Sequence, residues 1–351
     1  MRRRSTRRRL TGALVCVALV TGAAMGVAST ALAGPPVNTG SSDGPEPKSP
    51  VDNPRPVVAS IDHIQKITDR RVRVFVRSPA MGRTVPVEVL LPKDRGHPRP
   101  TLYMLDGRSA GNEVNNWTKY GKAVQFFADK DVNVVLTLGG PASYYTDWQR
   151  PDPVLGNNKW ETFLTRELPP LIDATFEGNG SKALEGVSMG AEAAMMLAMR
   201  HPGAYRAVAA HSGCYAMGSD VGQAQARAIV STYNGNPDNM FGDQNNPAWL
   251  SHDVMMHADQ LRGTALFLSA GGGIPGPFDG PGNPDARTSV IFGSPLEMGA
   301  YACTLALANK LERMQIPLTL DLHDVGTHSW PYWSAELPKA WPTLARALDI
   351  S

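Results

Sequence analysis

The chain has 351 residues, 42% of them apolar, with 34 Gly, 29 Pro, 3 Cys and a formal charge of +2. That apolar fraction supports a sizeable core and excludes a disordered or collagen-like chain. Three cysteines exclude a disulfide framework, no C-x-x-C pair marks a zinc site, and the length suits one large domain.

Arg2, Arg3, Arg4, Arg7, Arg8 and Arg9 precede an uncharged stretch, 10–33, that ends Ala31-Leu32-Ala33. A basic start, an apolar middle and a small-x-small end predict a secretory signal peptide over 1–33. An uncleaved anchor is the rival reading, but Thr11, Thr21, Ser29, Thr30 and several glycines make a poor span. Thr6-Arg7-Arg8-Arg9-Leu10 also fits a twin-arginine signal, which leaves the export route open. Cleavage removes six of the 34 basic residues, leaving 28 against 32 acids and a charge of −4. A nucleic-acid partner then has no electrostatic basis. Residues 34–56 carry seven prolines among Ser, Gly and Asp, and predict an extended tether. The folded domain is expected over 57–351.

Strands and helices then alternate. Residues 71–76 and 85–91 alternate with period two and predict an antiparallel opening pair. Further strands are predicted at 101–105, 132–138, 183–187, 207–210, 264–270 and 317–323. Helices are predicted at 189–200, at 296–315 and at 332–348, the last interrupted by Pro338 and Pro342. This pattern predicts an α/β fold, a mostly parallel central sheet with helices on both faces. Two regions interrupt it. Residues 220–263 read as a lid-like insertion of helical pieces, and 271–294 as nearly pure loop.

Gly186-Val187-Ser188-Met189-Gly190 follows a predicted strand and opens a predicted helix, the context of a nucleophile elbow. A serine hydroxyl needs a base, and the base an orienting acid, here in the chain order Ser, acid, His. His201 suits a helix end, His211 a structural position, and His252 and His257 the surface; His323 falls within a strand. His328 lies between the last strand and the last helix, where the base is expected. Glu297 is the favoured acid, although its place near a helix start also suits a dipole role. Asp279, Asp285 and Asp324 stay open as alternatives. Backbone N–H groups of Met189 and Arg108 are the expected oxyanion donors. Asp106 is expected to touch a polar substrate group or to cap its Asp-Gly turn.

These residues resemble the antigen-85-type mycolyltransferases, in the esterase D-like group of α/β-hydrolases. The likeness runs through Ser78-Pro79-Ala80-Met81-Gly82-Arg83, Leu105-Asp106-Gly107, Tyr145-Thr146-Asp147-Trp148 and Lys159-Trp160-Glu161-Thr162-Phe163-Leu164-Thr165. It continues in Glu167-Leu168-Pro169, Pro247-Ala248-Trp249 and Gly326-Thr327-His328-Ser329-Trp330, with Tyr332-Trp333. The resemblance implies an α/β-hydrolase fold with an irregular insertion over the active site. It implies transfer of a long-chain mycolyl group between trehalose glycolipids, or onto cell-wall sugar, outside the cytoplasm. It assigns Ser188 as nucleophile, Glu297 as acid and His328 as base, with Asp106, Ser109 and Trp330 toward the sugar. No metal or cofactor is implied, and a monomer is expected. The acyl tail is expected beneath the 220–263 insertion.

The chain departs from the family at several points. Arg108-Ser109 stands where the family carries Leu-Arg, so the sugar-binding arginine is displaced or absent. Tyr120 replaces an Asn after Trp117, and the small disulfide loop before Lys159 is missing. The nucleophile motif continues Met189-Gly190-Ala191 rather than Met-Ala-Gly. A secreted carboxylesterase with the same three side chains, or a non-catalytic wall-associated binding protein, are the competing readings. Cys214 and Cys303 either pair or stay as buried thiols.

Overall fold

The computed structural model describes residues 58–350. The expected signal peptide, the tether and the boundary at residue 57 lie outside the described residues. Nine strands form one sheet: β1 (Ser60–Thr68), β2 (Arg71–Ser78), β3 (Arg83–Leu90), β4 (Arg99–Leu105), β5 (Asn133–Thr137), β6 (Gly178–Val187), β7 (Ala207–His211), β8 (Ala265–Ile274) and β9 (Thr319–Val325). Their order is β1-β2-β3-β5-β4-β6-β7-β8-β9. β1 to β3 run antiparallel, β3 meets β5 antiparallel, and all pairs from β5 to β9 are parallel. This is the α/β-hydrolase arrangement, and the predicted opening pair is β2 against β3, with Val76 opposite Val85.

The alternation of side chains along each strand divides the core in two. Tyr103, Leu105, Val135, Leu184, Val208 and Ala210 face one layer, where the elbow helix Met189–Arg200 packs with Met195 and Met199. Leu102, Met104, Val134, Leu136, Ala183 and Ala209 face the other, where the terminal helix Trp330–Ala347 packs with Trp333, Leu337 and Leu344. The central strands β4, β5 and β7 are buried along their whole length because both faces are covered.

β1 escapes the sequence reading for a physical reason. Its isoleucines, Ile61, Ile64 and Ile67, recur every three residues, a spacing that matches no strand face. Two register shifts against β2 absorb the mismatch, and nearly all its side chains are exposed. The terminal helix is continuous through Pro338 and Pro342, contrary to the expected interruption. Both prolines are exposed, so water can satisfy the carbonyls they leave without a donor, while the opposite face stays packed. The 271–294 stretch is also more ordered than expected. β8 extends through Ile274, and helical turns follow at Pro277–Asp279, Ala286–Thr288 and Ser289–Gly293.

The 220–263 insertion holds the helix Asp220–Thr232 and short turns at Asp238–Phe241, Ala248–Ser251 and Ala258–Leu261. It is part of the core rather than a loose flap. Phe241 and Trp249 are fully buried edge to face, 5.1 Å apart. Asn236 and Gln149 tie it by backbone N–H bonds to Asp152 and to Met240 across the gap to the 147–160 loop.

Leu337 is 1% exposed and anchors the terminal helix to the sheet. Leu337→Ala should lower unfolding free energy by about 3 kcal/mol, read by urea denaturation. A change within experimental error would mean that this helix face does not carry the second core layer.

Candidate active site

The elbow is built by close approach. Ser188 follows β6 and precedes the elbow helix with φ 53° and ψ −123°, a conformation that costs strain in any residue with a Cβ. Its N–H donates to the His211 carbonyl at 2.8 Å, which fixes the turn against the end of β7. A Cβ on Gly186 would lie 2.1 Å from the Gly190 carbonyl oxygen, and one on Gly190 would lie 2.5 Å from that of Asp106. Both positions therefore exclude any other residue. The strand can turn directly into the helix only because these two contacts are bare backbone.

Three side chains distant in sequence meet here. Ser188 Oγ lies 2.8 Å from His328 Nε2, and His328 Nδ1 lies 2.6 Å from Glu297 Oε2. The carboxylate at Nδ1 selects the tautomer with its proton on Nδ1, leaving Nε2 to accept from the serine hydroxyl. Glu297 is 2% exposed and sits in the first turn of the helix Ser294–Arg313. Its other oxygen, Oε1, accepts from Ser212 Oγ and from the Gly271 N–H, each at 2.7 Å. Trp333 Nε1 donates to Ser212 Oγ at 2.9 Å, and its ring meets the His328 ring edge to face at 4.8 Å. The Gly293 carbonyl accepts from the His328 N–H at 3.2 Å.

Of the alternative acids, Asp279 has another task. It accepts from Thr327 Oγ1 and from the Tyr332 hydroxyl, pinning the 277–279 turn to the His328 loop. Ser212, the Gly271 N–H and Trp333 were not legible as site residues. The available hint was position: Ser212 lies just beyond the carboxyl end of a parallel strand, where ligand-facing residues concentrate.

The loop after β4 lies beside the elbow, since a Cβ on Gly107 would approach Ser188 Cβ to 3.8 Å. Among the described residues, neither the Arg108 nor the Met189 N–H donates to another protein group. Both are free to meet an oxyanion at Ser188. Of the two roles expected for Asp106, the geometry supports the capping of its own loop. Asp106 is fully buried, and its carboxylate accepts from the N–H groups of Gly107 and Asn116 and from Asn116 Nδ2. Burial pushes its pKa up to about 6 against these donors. Asp106 thus braces the loop that presents Arg108. Arg108 and Ser109 are exposed beside it. Trp330 is half-buried, edge to face with Trp117 and Trp333 at 5.3 Å each, with Tyr120 at 6.2 Å. Burial raises the Tyr233 phenol pKa, with Arg108 opposing and Asp106 adding to the shift.

The remaining histidines lie elsewhere. His211 is fully buried between Ser269 Oγ at 2.8 Å and Glu185 Oε1 at 3.1 Å. His201 and His252 both approach Glu161, and His252 is buried rather than at the surface, as it was expected to be. Cys214 and Cys303 form a disulfide with Cα atoms 4.9 Å apart, joining the loop after β7 to the helix that carries Glu297.

Glu192, in the first turn of the elbow helix, accepts from the Cys214 N–H and Gln225 Nε2. Burial raises its pKa from 4.5 to about 8 despite both bonds. The folded state therefore keeps a proton that the unfolded chain releases, and its contribution to stability is lost as pH rises toward 8. Melting temperature should fall between pH 6 and 8.5, and Glu192→Gln should flatten that fall. Parallel profiles for the two proteins would show that Glu192 is ionised in the fold.

Comparison with known proteins places this geometry among relatives. Residues 78–275 match the family described as "Putative esterase". The chain is 31% identical over 295 residues to the diacylglycerol acyltransferase/mycolyltransferase Ag85A of Mycobacterium tuberculosis, covering 79% of this chain and 81% of that one. The crystal structure of Mycobacterium tuberculosis MPT51 (FbpC1) superposes with a TM-score of 0.65 at 26% identity, over 78% of this chain and 97% of that one. An S-formylglutathione hydrolase from Agrobacterium tumefaciens shares the fold, with a TM-score of 0.60 at 18% identity over 82% of this chain and 99% of that one.

Proposed function

Since the chain belongs to the Ag85-type mycolyltransferase family of esterases, we propose that it is an exported serine acyltransferase acting through an acyl-enzyme on Ser188. The observation that carries this reading is the unbroken hydrogen-bond chain from Ser188 through His328 to the buried Glu297 carboxylate. Ser188 Oγ attacks the ester carbonyl while His328 Nε2 takes its proton. Glu297 stabilises the imidazolium that forms. The Met189 and Arg108 N–H groups hold the tetrahedral oxyanion. The imidazolium returns its proton to the leaving sugar oxygen, and the acyl group stays on Ser188. A second sugar hydroxyl, deprotonated by His328, then takes the acyl group and frees the serine.

The donor is a long-chain acyl ester of a sugar, and trehalose mycolate is the family's form of it. An apolar apron supports the long-chain part. Phe278, Ile291, Phe292, Leu296 and Met298 are exposed on segments that touch the His328 loop or flank Glu297. We place the acyl chain on this apron rather than beneath the 220–263 insertion, which is filled by its own core. Trp330, stacked edge to face on Trp117 beside Tyr120, borders the acceptor side. Export is supported by the N-terminal pattern and by the Cys214–Cys303 disulfide, which persists in an oxidising compartment. Arg108-Ser109 in place of the family's Leu-Arg favours one competing reading, hydrolysis, in which water replaces the sugar.

Ser188→Ala should lower turnover roughly a millionfold and abolish fluorophosphonate labelling without changing the melting temperature. Glu297→Gln should cost less, roughly ten-thousandfold. Full activity in Glu297→Gln would assign the acid elsewhere. With trehalose monomycolate as sole substrate, the dimycolate should accumulate; free acid alone would replace the transferase reading with the esterase. Phe292→Ser should raise KM severalfold for a palmitoyl ester and leave acetyl-ester KM unchanged; equal effects on both would remove the acyl chain from the apron.

A further inference from the structure

β9 and the terminal helix carry a second polar cluster, one that acyl transfer does not use. Asp321 and His323 lie two residues apart on β9, and Glu336 and Lys339 one turn apart on the helix. Asp321, His323 and Glu336 bring one ligand atom each to within 4.8 Å of one another. Lys339 Nζ sits against all three. It is 3.2 Å from Asp321 Oδ2, 2.9 Å from His323 Nε2 and 2.9 Å from Glu336 Oε1. A cation is thus held at the centre of a tripod of donors.

An ammonium serves this tripod imperfectly. His323 Nε2 also lies 3.0 Å from Glu336 Oε1 and 3.2 Å from Asp321 Oδ2. A single ring nitrogen cannot accept from Lys339 and donate to a carboxylate at once, so one contact goes unmade in either protonation state. Glu336 is 7% exposed, and its Oε2 is buried with no hydrogen-bond partner among the described residues. Such an oxygen carries a desolvation cost that nothing repays. With His323 neutral, two carboxylates face one ammonium, leaving one negative charge over.

A divalent metal resolves each of these conflicts. It takes the Nε2 lone pair with no proton to place, balances both carboxylates, and can draw Glu336 Oε2 in as a second oxygen. One imidazole and two carboxylates on a strand and a helix are a donor set suited to zinc-class cations. The Lys339 side chain is 42% exposed, so it can swing into water as the metal enters. We propose that Asp321, His323 and Glu336 bind a divalent transition-metal cation of the zinc class, with Lys339 as the competing internal cation. Bound metal staples β9 to the terminal helix, the two arms on either side of the His328 loop. It takes no part in the acyl-transfer step, so this site stands whether or not the proposed activity does.

The test is titration of the purified protein with Zn2+ by calorimetry and with Co2+ by visible absorption. One equivalent should bind, Zn2+ should raise the melting temperature, and Co2+ should give d–d bands of a low-symmetry site. Lys339→Met removes the competitor and should tighten Zn2+ binding by about tenfold. His323→Ala and Glu336→Gln should each weaken it by more than about tenfold, with circular dichroism showing that the variants are folded. If His323→Ala does not fold, the Lys339→Met comparison decides alone. Absence of Zn2+ and Co2+ binding by both the wild type and Lys339→Met overturns the site. So does binding that survives His323→Ala but is lost in His201→Ala, which would locate the metal at the Glu161 cluster.

Discussion

Glu297 spends its two oxygens on groups from three strand ends: Ser212 beyond β7, the Gly271 N–H within β8 and His328 beyond β9. A buried carboxylate is costly unless it is fully hydrogen-bonded, so this one acts as a constraint on everything around it. The three segments cannot move independently without stranding a charge. Trp333 extends the constraint through Ser212 into the terminal helix, and the Cys214–Cys303 disulfide ties the helix of Glu297 to the loop of Ser212 by a covalent route. The imidazole is thereby fixed in tautomer and direction before any substrate arrives. That is the preorganisation a serine hydroxyl needs.

Ser188 supplies the complementary half. Its positive φ stores strain that a free loop would relax. Here the strain persists because Gly186 and Gly190 let β6, the elbow helix and β4 approach to distances no side chain allows. The same crowding sets the loop after β4 against the serine, with Asp106 consumed in bracing it. The Arg108 N–H is thus positioned by a carboxylate that the family resemblance had directed toward the sugar. Buried carboxylates thus serve the nucleophile twice, Glu297 by orienting His328 and Asp106 by bracing the loop after β4.

Chemistry and specificity separate in this chain. The machinery for making an acyl-enzyme is drawn from residues that the fold holds rigidly. The surfaces that would choose donor and acceptor are exposed: Arg108, Ser109 and Tyr120 on one side, Phe292, Leu296 and Met298 on the other. Exposed residues can change without unsettling the core, so a family fold can keep its acyl chemistry while the loop after β4 departs from the common Leu-Arg pair.

The sequence by itself determined the strand–helix alternation, the elbow at Ser188 and the position of His328, because each of these is written in local pattern, whereas among the candidate acids Glu297 was singled out by the family resemblance. Apolar runs report strands covered on both faces, the Gly-x-Ser-x-Gly turn reports a close approach, and a histidine between the last strand and the last helix reports its place at the strands' carboxyl ends. Tertiary structure alone decided the rest. Ser212, the Gly271 N–H and Trp333 join the site by contacts across 26 to 121 positions of chain, which no local pattern records. Burial, a property of the assembled fold, made Asp106 a brace for the loop after β4. β1 stayed hidden because its isoleucines follow a spacing that only its bulged pairing with β2 makes intelligible. Periodicity is a one-dimensional signal and can report which face of an element is buried, whereas which atoms meet across the fold is settled only when the elements pack.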